Sequence, residues 1–146
     1  MQAILRTTVV LAIGLLAAGC ASTTMKPAES ANVAPPPTNY RAAAVESVKQ
    51  TFFDPYSIRD ASISEPLYAS AVFDGITPIP RKGWIVCLRA NAKNRMGGYI
   101  GQQLTVMLFN GEAVDIALSG REYEGQLQDH CKTARFSDFD EIEAIG

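Results

Sequence analysis

The sequence predicts an α+β domain in which one N-terminal helix packs on a small antiparallel sheet of three to five strands, braced by a disulfide. Apolar residues recur at helical spacing over residues 40–53, whereas residues 83–92 alternate in the manner of a strand. Two cysteines in the second half of the chain supply the disulfide. A helix with one apolar face and no second helix to cover it needs a sheet, so the two patterns together define the fold class.

The predicted N-terminal helix has an apolar face formed by Val45, Val48 and Phe52, at positions i, i+3 and i+7. Thr38 or Asn39 can cap its first turn with a side-chain oxygen. The Asp-Pro pair that follows ends the helix, because the residue before a proline avoids helical geometry.

The predicted sheet is built around residues 83–92, the most regular of its strands. A weaker strand is expected at residues 58–64, which stop at a Glu-Pro pair. Residues 67–80 fit either an edge strand or a loop. The region from residue 121 onward holds seven acidic and three basic residues, and we expect it to be largely irregular and held by Cys131.

A hairpin is predicted from residues 102–109 and 113–118, joined at an Asn-Gly pair. The turn could be the two-residue Asn-Gly type or a three-residue loop over residues 109–111 with Gly111 left-handed. The buried face decides the register. The longer loop is expected because it groups apolar side chains on one face, with Leu104 and Val106 beside Ile116 and Val114.

A lipoprotein signal peptide is predicted at residues 1–19. Arg6 precedes an apolar run over residues 9–18, which is shorter than the roughly 20 residues of a spanning helix but typical of a secretory signal. Residues 16–20 (LAAGC) resemble the lipobox of bacterial lipoproteins. The alternatives are an ordinary signal peptide with a chance cysteine, or a buried apolar helix.

The lipobox resemblance implies that Cys20 is acylated, becomes the first residue of the mature chain and anchors it to a membrane. Ala21 follows where Asp would retain a lipoprotein in the inner membrane, which implies the inner face of the outer membrane. Residues 20–38 are predicted to be a Pro-rich tether with too little apolar surface to fold. Residues 39–146 are predicted to form a single domain.

The two remaining cysteines, Cys87 and Cys131, are predicted to pair in this oxidising compartment. The bond would close a loop of about 45 residues and contribute roughly 4 kcal/mol on the chain-entropy model. The alternative is two free buried thiols.

Composition and motifs exclude several classes of function. The chain has 13 basic and 15 acidic residues, so no charge excess draws it to nucleic acid. It has no phosphate loop, dinucleotide fingerprint or zinc spacing, and its single histidine, His130, does not make a metal site. We therefore expect a protein that is not an enzyme and that carries no cofactor and no metal.

The most unusual segment is residues 91–101 (NAKNRMGGYIG), which link two predicted strands. Residues 81–95 hold five basic side chains and no acid, which predicts a local basic face. The glycines and asparagines could serve only a tight connection. Alternatively, the loop binds an anionic or polar partner such as a lipid headgroup, a glycan or an acidic protein. The candidate binding residues are Asn91, Lys93, Asn94, Arg95, Gly97, Gly98, Tyr99 and Gly101.

Three segments resemble a group of small, mostly uncharacterised bacterial lipoproteins and secreted proteins: residues 54–61 (DPYSIRDA), 83–101 (GWIVCLRANAKNRMGGYIG) and 131–145 (CKTARFSDFDEIEAI). In that group a cysteine-bearing strand leads into Asn-Ala-Lys-Asn and then Gly-Gly-Tyr-x-Gly. The resemblance covers most of residues 40–145 and implies a shared fold, but it brings no established activity. Met96 stands where relatives often have an aromatic residue.

Three functions compete at this stage. The first is a non-enzymatic binding or assembly module anchored in the cell envelope. The second is a periplasmic inhibitor or small-ligand-binding protein that uses residues 91–101 as its contact. The third is a hydrolase of envelope polymers, which would need paired carboxylates or a nucleophile with a base in one cleft.

Overall fold

The long strand β3 (Ile79–Asn91) organises the sheet, because three other strands pair with it. The computed structural model describes residues 33–73, 79–120 and 123–146. Ala34–Gly146 form one compact unit. The predicted signal peptide, Cys20 and most of the tether lie outside the described residues, so those predictions stay predictions.

The sheet is antiparallel throughout and has six strands in the described residues, one more than the largest number expected. Five strands follow the order β5–β4–β3–β1–β6, and β2 also pairs with β3. Of the segment left open between strand and loop, residues 67–73 form strand β2 and residues 79–80 belong to β3. The bounds of the other strands are β1 Arg59–Ser64, β2 Leu67–Phe73, β4 Gln103–Asn110, β5 Ala113–Ser119 and β6 Phe136–Asp138.

The N-terminal helix α1 (Tyr40–Thr51) covers one face of this sheet. Val45 and Val48 are buried as predicted, together with Ala44, and Phe52 packs half-buried at the end of the helix. The helix stops two residues earlier than expected. No helix among the described residues is long and apolar enough to cross a membrane.

The start of α1 is held by an acidic residue that is distant in the sequence, and not by the side chain of its own N-cap residue. Asn39 occupies the N-cap position without a side-chain hydrogen bond, so that expectation was wrong. The carboxylate of Glu112, in the β4–β5 turn, instead accepts the backbone N–H groups of Thr38 (2.9 Å) and Asn39 (2.8 Å). These two hydrogen bonds lower the pKa of Glu112.

The C-terminal region is regular, which corrects the expectation of a largely irregular tail. It forms α2 (Glu124–His130), β6 and α3 (Asp140–Glu143). Phe139 and Ile142 are fully buried in the same core as α1. The composition predicts a solvated tail because acidic residues flank both apolar side chains in the sequence. The segment is ordered because these two side chains are buried in the core.

The opposite face of the sheet carries α2 and the predicted disulfide. Cys87 and Cys131 are bonded, with their Cα atoms 6.0 Å apart, and both are buried beside Leu127. The alternative of two free thiols is therefore excluded. The described domain has a helical layer on each face, with α1 and α3 on one side and α2 on the other.

Gly111 is left-handed as predicted, with φ of 62°. The expected three-residue loop over residues 109–111 was wrong, because Asn110 pairs with Ala113 and leaves only Gly111 and Glu112 in the turn. The register differs from the one predicted. Phe109 pairs with Val114 and the ladder then shifts, so that Val106 lies opposite Leu118. Val114 consequently packs with Phe109 under α1, while Val106 faces α2, because a bulge in the ladder moves the apolar pattern from one face to the other.

Candidate functional site

Residues 91–101 form a protruding hairpin that Asn94 organises. The Oδ1 atom of Asn94 accepts the backbone N–H groups of Met96 (2.9 Å) and Gly98 (3.1 Å). The Asn94 carbonyl accepts the N–H of Gly97, whose φ of 77° suits a residue without a side chain. Below this turn, Lys93 and Tyr99 form an isolated antiparallel bridge. The asparagine and the glycines therefore shape the turn itself.

Asn91 closes the base of the hairpin from a buried position. Its Oδ1 accepts the N–H of Gly101 at 3.1 Å, and its Nδ2 lies 3.5 Å from a carboxylate oxygen of Asp60. Gly101 has a φ of 88°, which is left-handed. Asp60 shares this conformation, with φ of 53°, at an irregularity in β1. Both ends of the connection are thus fixed by hydrogen bonds within the molecule.

Tyr99 joins the hairpin to the segment after α1. Its hydroxyl donates to the carbonyl of Ser57 at 2.9 Å, and the Ser57 hydroxyl accepts the N–H of Lys93 at 2.9 Å. The guanidinium of Arg59 lies 3.7 Å above the centre of the Tyr99 ring. The hairpin is consequently held against the domain along its side as well as at its base.

The predicted basic face does not exist as one surface. Arg81 pairs with Asp115 across the sheet at 3.2 Å. Arg89 lies on the α2 face, over the ring of Phe136. Three of the five basic residues, Arg81, Lys82 and Arg89, lie on β3, and the other two, Lys93 and Arg95, belong to the hairpin.

A different grouping surrounds the hairpin, and we name it the tip surface. Met96 is 91% exposed at the end of the turn, and Phe53 and Tyr56, in the segment after α1, are 63% and 64% exposed. The guanidinium of Arg95 lies 5.8 Å from the centre of the Phe53 ring, which places the two segments side by side. The members are the exposed apolar residues Phe53, Tyr56, Met96, Tyr99 and Ile100 and the cations Arg59, Lys93 and Arg95.

The tip surface lies at the end of the sheet opposite the point where the chain enters the domain. Glu112, in the β4–β5 turn at the far end of β4, accepts the N–H groups of Thr38 and Asn39, and the indole N–H of Trp84, in the middle of β3, donates to the carbonyl of Ala34 at 2.7 Å. Trp84 and Asn91 are seven residues apart on the same strand, which at strand rise corresponds to about 23 Å. The hairpin extends beyond Asn91, away from the entry point.

Of this surface, the sequence predicted Lys93, Arg95 and Tyr99 as binding residues. Met96 and Ile100 were not among the named candidates, although they lie in the same segment. Phe53, Tyr56 and Arg59, from the segment after α1 and the start of β1, were missed. The one available signal was that Phe53 and Tyr56 lie near the end of the helix without belonging to its apolar face.

The comparisons made with protein-family models, curated proteins and solved structures found no match to this chain.

Proposed function

We propose that this protein is a non-enzymatic binding module of the cell envelope, anchored by acylated Cys20 at the inner face of the outer membrane. The tip surface binds a protein partner. The observation that carries the proposal is the exposure of apolar side chains on a hydrogen-bonded hairpin and in the segment whose Phe53 ring lies near Arg95. The lipobox resemblance and the Pro-rich segment after it support the anchor.

The chemistry of the tip surface suits an acidic protein surface with an apolar groove. Three cationic side chains lie among its apolar side chains. The ion pair of Arg59 with Asp60 is long, with 3.7 Å between Nε and the carboxylate oxygen. Methionine and aromatic residues with arginine are the side chains that dominate protein interfaces. The surface protrudes, whereas small-ligand sites are concave, so a groove on a protein partner is the complementary shape.

The position of the tip surface supports a partner other than the anchoring membrane. The chain enters at the opposite end of the sheet, about 23 Å away. A tether attached there lets the hairpin reach into the periplasm. The alternative function, an inhibitor of a soluble periplasmic enzyme, uses the same surface and differs in the identity of the partner.

Site-specific photo-crosslinking in living cells tests the proposal. A photoreactive residue at position 96 is expected to yield a discrete protein adduct, whereas one at position 113 is expected to yield none. Ala113 is the matched control because it is exposed at the start of β5, next to the β4–β5 turn at the other end of the sheet. Mass spectrometry of the adduct separates an envelope component from a soluble enzyme.

Charge reversal sharpens the same experiment. Arg95→Glu in the crosslinking background is expected to abolish the adduct without changing thermal stability, because Arg95 is exposed and has no ion pair among the described residues. Lys82→Glu, at an exposed cation outside the tip surface, is expected to retain it. Absence of an adduct at position 96, or the same adduct at position 113, would contradict the proposal.

A further inference from the structure

A second concave surface lies on the other face of the sheet, between α2 and the strands. It is a cleft of about 620 Å³, which is within the range of sites for small ligands. Leu104 and Leu127 contribute apolar side chains to its lining. This cleft is separate from the tip surface in its residues, and an inference about it does not rest on the proposed function.

Arg89 gives the cleft a prepared cationic group. Its guanidinium stacks on the ring of Phe136, 3.9 Å from the ring centre. In the part of the chain that the structure describes, it has no ion pair and no side-chain hydrogen bond. A planar guanidinium that is held by stacking and retains its N–H donors is suited to recognise a carboxylate in bidentate geometry.

Three glutamines complement this donor with acceptors. The side-chain nitrogen of Gln102 donates to the carbonyl of Asp60 (2.7 Å), and that of Gln128 donates to the carboxylate of Glu124 (3.3 Å). The nitrogen of Gln103 donates to the carbonyl of its neighbour at 3.1 Å. These bonds orient the amide groups, and the three side-chain oxygens remain as acceptors that match the N–H groups of a peptide.

The cleft also has a fixed shape. Cys131, which lines it, is bonded to Cys87, two residues before Arg89 on β3. The helix that forms one wall and the strand that carries the guanidinium are therefore joined covalently. A site whose groups are already ordered loses less conformational entropy when a ligand binds.

We propose that this cleft binds the free carboxyl end of a short peptide. The terminal carboxylate pairs with Arg89, and the preceding peptide N–H groups donate to the glutamine oxygens. Lys132 adds a second cation to the lining, and the carboxylates of Glu124 and Asp129 favour a peptide with a positive charge upstream.

Fluorescence anisotropy with the full chain, purified in detergent, tests this inference. The probe is fluorescein-labelled Lys-Gly-Ala-Ala with a free carboxylate, and the matched probe is the same peptide with a C-terminal amide. We expect saturable binding of the acid, at least about tenfold tighter than of the amide, because only the acid can form the charge-assisted pair. Equal binding of the two probes, or no saturable signal, overturns the inference.

Variants locate the binding. Arg89→Gln is expected to weaken binding of the acid by about tenfold or more and to leave binding of the amide unchanged. Arg81→Gln is the control, since Arg81 lies on the same strand but pairs with Asp115 outside the cleft. If Arg89→Gln binds the acid as tightly as the unaltered chain does, the assignment of Arg89 to the carboxylate is overturned. If that variant does not fold, the comparison of the acid and amide probes on the unaltered chain decides whether the cleft recognises a free carboxylate.

Discussion

Removal of the disulfide by the double substitution C87A/C131A is expected to lower the free energy of unfolding by about 4 kcal/mol. The bond joins residues 44 positions apart, and on the chain-entropy model a closed loop of this length restricts the unfolded chain by about that amount. Domains of this size have a total stability of about 5–15 kcal/mol, so the loss is a large fraction of it. Both sulfur atoms are also buried, so their removal adds a packing loss.

Urea denaturation followed by circular dichroism measures this loss. The midpoint for C87A/C131A is expected to fall well below that of the unaltered chain. Reductant should lower the midpoint of the unaltered chain and leave the variant unchanged, which separates the covalent bond from the packing of the sulfur atoms. A loss below about 1 kcal/mol, or an unaltered chain insensitive to reductant at every urea concentration, would refute the argument from loop closure.

Two further predictions concern the ion pair of α1 and the anchor. Glu141 accepts two hydrogen bonds from Arg41 (2.6 and 2.5 Å), which lower the pKa of Glu141 from 4.5 to about 2. The unfolded chain therefore takes up this proton first, and the stabilisation is complete above pH 4.5 and lost as the pH falls toward 2. Glu141→Gln is expected to flatten the dependence of Tm on pH in that window, and an unchanged slope would contradict this assignment. Cys20→Ser is expected to abolish incorporation of labelled fatty acid in cells, and a variant that is still labelled would contradict the predicted acylation.

The parts of the fold that were predicted correctly depend on local patterns. The apolar face of α1 and the alternation in β3 each lie within one short segment, so the sequence alone reveals them. The cap of α1 was missed because its acceptor, Glu112, lies 73 residues away from Asn39. Burial of Phe139 was missed for a similar reason, since the side chains that cover it come from α1 and the sheet.

The two candidate surfaces were predictable to different extents. The hairpin residues of the tip surface lie within one short segment, residues 91–101, whose composition is unusual enough to identify it. Arg59 is distant from them in the sequence and lies over the Tyr99 ring in the fold. It stands at an irregularity in β1, next to the left-handed Asp60, which local sequence patterns do not predict. The cleft gave no sequence signal, because its lining comes from β3, β4, α2 and β6, and no spacing in the chain relates these segments.

The structure separates two roles within the motif that suggested a binding loop. The polar side-chain groups of Asn91, Asn94 and Tyr99 form hydrogen bonds inside the molecule. These groups stabilise the hairpin and offer few free donors or acceptors to a partner. Within the ranges that the structure describes, the side chains of Arg95 and Met96 make no such bonds, and both are exposed. Under the proposed function, the asparagines and the Tyr99 hydroxyl supply a rigid support that limits the entropy lost on binding, and Arg95 and Met96 are among the exposed side chains of the tip surface that contact the partner. Substitutions in the support should then act through the stability of the hairpin, and substitutions at its end should act on binding alone.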